Sequence, residues 1–174
     1  MTTRQPNYQR SNHIMSRWQH EFVSNAEQID ASEWNTLFNG QSIFLRHEFL
    51  AALEQSGCVS RETGWQPHHF VLRDTNEDIV ALMPLYIKTN SSGEYVFDWS
   101  WADAYYRYGH PYFPKLVTAI PFTPCTGTRF GIRDGINDTD VMSHLINAIE
   151  AEVEELRASS WHCLFLTESQ SKSL

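Results

Sequence analysis

HHFVLRDTNEDIVALMPLYIK, from His68 to Lys88, is the stretch on which the fold turns. Two runs rich in apolar and β-branched residues, HHFVLRD and IVALMPLYIK, flank the polar Thr75, Asn76, Glu77 and Asp78. That pattern reads as a β-hairpin. Pro84 removes an N–H donor from the second strand, so an edge position or a bulge is expected there. His68 and His69, adjacent on a strand, face opposite sides and cannot chelate one ion together. The apolar run IVALMPLYI is too short to cross a bilayer.

Upstream of the hairpin the period is helical. In IDASEWNTLFNG, Asp30 with Glu33 three residues later has the form of a capping box, and Gly40 is the expected stop. FLRHEFLAALEQSG predicts a second helix, with Phe44, His47, Leu50 and Ala51 on one face and Gly57 at its end. His20–Val23 predicts a short first strand. Residues 1–18 are polar, are expected to be disordered and lack the apolar run of a secretory signal.

Downstream, Ser91, Ser92 and Gly93 make a turn. Tyr95, Phe97, Trp99 and Trp101 then alternate with Glu94, Val96, Asp98 and Ser100, which predicts a third strand. Phe97 and Trp99 are expected to pack in the core beneath a later helix. ADAYYRYG predicts one or two helical turns, and prolines 111, 114, 121 and 124 make the following segments irregular. Met142, Leu145, Ile146, Ile149, Val153 and Leu156 set a long helix from Asp138 to Arg157, with Asp138 and Asp140 suited to its N-terminus. WHCLFLT reads as a last strand, and residues 169–174 as a disordered tail. The order β, α, α, β, β, β, irregular, α, β predicts an α+β (mixed α/β) domain over residues 19–168, with a mostly antiparallel sheet covered by helices. Nothing follows to pair with the last strand, so the sheet is expected to be incomplete at its C-terminal end.

The 174 residues suit one domain or part of a larger chain. A net charge of −8 argues against general nucleic-acid binding, which depends on Lys and Arg neutralising phosphates. Cys58, Cys125 and Cys163 are odd in number and widely spaced, consistent with reduced thiols in a cytoplasmic protein rather than a disulfide framework or zinc site.

Several short pieces recur in a known order: GWQPHH (64–69), PLYIK (84–88), SGEYVFD (92–98), WADAY (101–105), YFPKL (112–116), PFTP (121–124) and TGTR (126–129). Together they resemble the FemAB-like peptidoglycan biosynthesis/recognition family, within the GNAT-like acyl-CoA N-acyltransferase class. The resemblance implies a GNAT-like fold and two tandem acyltransferase-type domains, of which this chain is the first, truncated. It also implies acyl or aminoacyl transfer to an amine, on a peptidoglycan precursor, with acyl-CoA or aminoacyl-tRNA as donor substrate and no tightly bound cofactor.

Acyl transfer needs a base for the attacking amine and donors for the developing oxyanion. Asp98, or Asp103 beyond it, is the expected base; the bland alternative is that Asp98 only accepts local hydrogen bonds. Trp101, Tyr105 and Tyr106 are expected to line the acceptor side. Lys115 and Arg129 are expected to hold an anionic group, and Gly127 and Thr128, with Gly131 beyond them, to approach a donor's phosphates ahead of the long helix. Against this stands a plain turn with solvated charges. Cys125 reads as a buried thiol rather than a nucleophile, and no metal site is expected. Two further readings stay open: a non-catalytic module recognising cell wall or a protein partner, and an inactive fragment.

Overall fold

A computed structural model describes residues 17–38, 42–96, 98–172 and 174. In chain order its main elements are β1 (Trp18–Val23), α1 (Ala31–Leu37), α2 (His47–Gln55), β2 (Trp65–Pro67), β3 (His69–Asp74), β4 (Ile79–Met83), β5 (Tyr86–Lys88), α3 (Trp99–Arg107), β6 (Lys115–Thr118), β7 (Gly131–Ile132), α4 (Asp138–Glu155), β8 (Trp161–Cys163) and α5 (Glu168–Ser171). Among the described residues no helix is long and apolar enough to cross a membrane.

The predicted hairpin is present: β3 and β4 pair antiparallel, with Phe70 opposite Met83 and a bulge between Leu72 and Arg73. Asp74 closes the turn by accepting the N–H groups of Asn76 and Asp78. The helix starts follow their capping residues. Asp30 Oδ1 accepts from the Ser32 and Glu33 amides at α1, and Asn137 Oδ1 from those of Thr139 and Asp140 at α4.

The strands form two four-stranded sheets, in the orders β1-β3-β4-β7 and β2-β5-β6-β8; all pairs are antiparallel except β6–β8. The two sheets share long strands that break between them, at His68 between β2 and β3 and at Pro84 and Leu85 between β4 and β5. Pro84 therefore lies between two interior strands, not on an edge. What permits this is a substitute ladder. His68 N–H donates to Leu85 O (2.9 Å), and Leu85 N–H donates to Nδ1 of the buried His69 (3.3 Å). His69 Nε2 in turn meets Glu54 of α2 at 2.9 Å, while His68 meets Glu152 of α4 at 2.7 Å, so the two histidines do point to opposite faces.

α4 covers one face of both sheets. Its Val141, Leu145 and Ile149 are buried against Phe70, Leu72, Met83, Ile87 and Leu116. On the opposite side, α1 and α2 cover the first sheet through Trp34, Leu45, Leu50, Val71 and Leu82. The second sheet presents Trp65, Tyr86 and Val117 there, packed with Val59 and Ala119.

Four sequence expectations change. Tyr95 to Trp101 is not a strand: Tyr95 has φ +61°, and α3 begins at Trp99. The polar Glu94 and Asp98 face inward, and the rings of Tyr95, Trp99 and Trp101 face outward. Trp99 is 62 % exposed rather than packed under α4; Phe97 lies outside the described residues. The partner of β5 is instead β6, in a segment read as irregular. The first strand begins at Trp18, inside the expected lead-in, of which residues 1–16 lie outside the described residues, as does Gly40. The expected tail supplies Gln170 of α5, which accepts from Arg129 N–H and donates to Phe130 O.

Candidate functional site

The second sheet's outer face carries an unusual pair. Lys88 on β5 and Lys115 on β6 stand directly opposite each other, and both are fully buried. Like charges opposed across a ladder repel, and each buried ion loses hydration worth several kcal/mol. Such a pair persists only where counter-charges reach it. They come from the segment that crosses this face: Lys115 Nζ lies 2.8 Å from Glu94 Oε2 and 2.5 Å from Asp98 Oδ2. Tyr112 O–H donates to the same Asp98 oxygen at 2.8 Å. Lys88 Nζ donates to Ser92 O at 2.9 Å and sits 4.0 Å above the Trp65 ring, a cation–π contact. Gly93 makes the crossing possible. It has φ +79°, and a Cβ there would come within 2.6 Å of the Phe122 ring and 2.9 Å of Trp65 Nε1.

The charges shift one another. Burial brings Lys88 down to about 8, with Glu94 and Asp98 opposing the fall. Burial raises Glu94, whose Oε1 makes no hydrogen bond among the described residues. Burial would raise Asp98 as well, but hydrogen bonds from Lys115, Ser91 and Tyr112 outweigh it and hold the carboxyl below its usual range. Tyr112 is pushed up by burial and by its bond to Asp98.

Above this clamp lies α3, with only Ala102 buried. Trp99, Trp101, Tyr106 and Tyr108 are 62 %, 66 %, 57 % and 83 % exposed, and Tyr95 stands beside them at 52 %. Tyr105 packs edge-on against Tyr112, with centroids 5.1 Å apart, and so joins the exposed helix to the buried cluster. Tyr112 continues to His162 of β8, at 6.2 Å.

Of the residues expected from sequence, Asp98, Trp101, Tyr105, Tyr106 and Lys115 gather here. Asp103 is exposed on α3. Arg129 is elsewhere and points inward. It is 1 % exposed, and its guanidinium donates to the carbonyls of Cys125, Thr128 and Leu164, stitching the C-terminal segment to the domain. The turn ahead of α4 is likewise internally bonded, with Gly127 N–H donating to Phe165 O and Arg129 N–H to Gln170. It borders a groove of about 990 Å³ lined by Thr128, Gly131, Arg133, Asp138 and Gln170, whose Arg133 is held by Asp74 at 2.6 Å. Sequence reasoning missed Lys88, Glu94, Tyr112 and His162. The signal for the first two was the presence of Lys and Glu in otherwise apolar or aromatic runs.

The profile of the FemAB-like family, described as peptidoglycan biosynthesis/recognition, matches residues 25–174. The chain belongs to that family. No curated protein and no solved structure matches it. For a FemAB-like chain a peptidoglycan-related role follows, and its α+β fold is consistent with the GNAT-like class.

Proposed function

We propose that this FemAB-like chain binds an amine-bearing peptidoglycan precursor and serves acyl or aminoacyl transfer to that amine. One observation carries the reading: a helix of exposed Trp and Tyr side chains is tied through Asp98 and Tyr105 to a charge-clamped sheet face. Exposed aromatic faces on a fixed scaffold stack on sugars and attract cations such as an ammonium. Lys115 and Asp98 hold that scaffold. Trp101 and Tyr106 contact the precursor, and an acyl-CoA or aminoacyl-tRNA supplies the acyl group, with a second acyltransferase-type domain belonging to the same reading.

The test is a titration with a soluble muropeptide whose stem peptide carries a free side-chain amine, followed by tryptophan fluorescence. Saturable quenching that is lost in Trp101→Ala is expected, as is a mass gain on the muropeptide when acyl-CoA or aminoacyl-tRNA is added. A second reading, recognition without transfer, is favoured by one observation: Asp98 Oδ2 is committed to Lys115 and Tyr112 and its other oxygen is buried, which leaves it poorly placed as a base. Saturable binding with no mass gain from either donor would establish that alternative.

A further inference from the structure

Beside the aromatic helix, a directional hydrogen-bond chain ends on His162. Ser159 Oγ lies 2.6 Å from the carbonyl oxygen of Tyr112, which can only accept, so the Ser159 hydroxyl donates to it. Ser159 Oγ is 3.2 Å from Ser160 Oγ, and with its own proton committed it accepts from Ser160. Ser160 Oγ, having donated, accepts from His162 Nε2 at 2.9 Å. The proton therefore sits on Nε2, and Nδ1 carries the lone pair. Nδ1 has no hydrogen-bond partner among the described residues, and the residue is half-buried, not sealed.

We infer that His162 Nδ1 accepts the proton released by the attacking amine. The inference rests on the acyl-transfer reading above. The amine nitrogen forms a bond to the carbonyl carbon of a thioester or aminoacyl ester, and the C–S or C–O bond breaks. The proton passes from nitrogen to Nδ1 and then to the departing sulfur or oxygen, which leaves as a thiol or a hydroxyl. Ser159 and Ser160 are positioning residues: they act through the imidazole by fixing its tautomer, as a carboxylate does in a Ser-His-Asp triad. The location suits the role. His162 is joined through Tyr112 and then Tyr105 to α3, the helix on which the precursor is proposed to lie. Neither aspartate competes: Asp98 is bonded on Oδ2 to Lys115 and Tyr112 and its unpartnered Oδ1 is buried, while Asp103 faces solvent on α3. The ionisable groups around the imidazole are Lys115 on β6, Tyr112 before it and Asp98 ahead of α3. Burial and then the Lys115 charge lower the His162 pKa, with Asp98 opposing, so the ring is neutral at neutral pH.

Imidazole nitrogen spectra of the ¹⁵N-histidine-labelled protein test this without relying on turnover. Above pH 7, His162 is expected as the Nε2–H tautomer, with an Nδ1 resonance that moves when the muropeptide binds. His162→Gln is expected to retain muropeptide affinity and lose transfer by about 10²–10⁴-fold, together with the acidic limb of the rate profile below pH 6.5. Ser160→Ala is expected to mix the tautomers and lower turnover, and Ser160→Thr to restore both. An Nδ1–H tautomer, or a bound muropeptide that leaves the Nδ1 resonance unmoved, overturns the assignment of His162 alone. A muropeptide that does not bind overturns the function proposed above and the inference with it.

Discussion

The two sheets run on the same long strands but are sealed by different physics. The first is closed by apolar burial: α1 and α2 on one side and α4 on the other exclude water from Val71, Leu72, Leu82 and Met83. The second is wholly apolar only under α4; its other face sets Trp65, Tyr86 and Val117 beside charge. Next to that apolar cluster the face is closed by a buried set of two lysines, two carboxylates and a tyrosine. A hydrophobic face tolerates approximate complementarity, whereas a buried ionic one holds only while every member is present. The difference marks where structure has been shaped by something other than stability.

Removing Lys115 should break that contrast most severely. Lys115→Met leaves Glu94 and Asp98 buried without their counter-charge, and a loss of about 3–5 kcal/mol is expected by urea denaturation. Combining it with Glu94→Gln and Asp98→Asn should recover much of the loss; no recovery would mean that packing, not charge, closes this face. His69→Ala tests the seam. Without it Leu85 N–H and one oxygen of Glu54 lose their partner in a buried setting, and about 3 kcal/mol should disappear.

A smaller effect sharpens the comparison through pH. The folded-state pKa of Lys88 is about 8, below its usual 10.5, so between these values the unfolded chain binds more protons. Stability should therefore rise with pH from 8 towards 10, by at most about 1.4 kcal/mol per unit. Lys88→Met should abolish that rise in thermal melts at constant ionic strength; an unchanged slope would remove Lys88 as its source. Smallest in stability is Trp101→Ala, within about 0.5 kcal/mol because the ring is mostly exposed. Its muropeptide affinity should nevertheless fall, and a large loss of stability would recast Trp101 as a packing residue.

The apolar half was the legible half. Met142, Leu145 and Ile149 lie on the buried face that their spacing predicts, and Asp30 caps the helix it introduces. Pro84 was expected on an edge or at a bulge; it instead interrupts an interior strand, a position that depended on His69, distant from it in the chain, acting as a substitute acceptor. The charged half resisted reading because alternation reports a period, not which side is inside. With two lysines waiting on the sheet, Glu94 and Asp98 turned inward while Tyr95 and Trp99 turned out. Arg129 misled for the same reason: a charged residue was read as a hand for ligands, when three backbone carbonyls had already engaged it.

The parallel pairing of β6 with β8 has a kinetic meaning. These strands are separated in the chain by β7 and the whole of α4, whereas β3 and β4 are joined by a four-residue turn. Non-local parallel contacts of this kind form late and open first. β8 is also the terminal strand of its sheet, with every residue from Ser159 to Thr167 only partly covered. Native-state hydrogen exchange should therefore find the amides of β8 opening as a unit while the β3–β4 hairpin stays protected. His162 lies within that unit, so such opening would carry the imidazole with it.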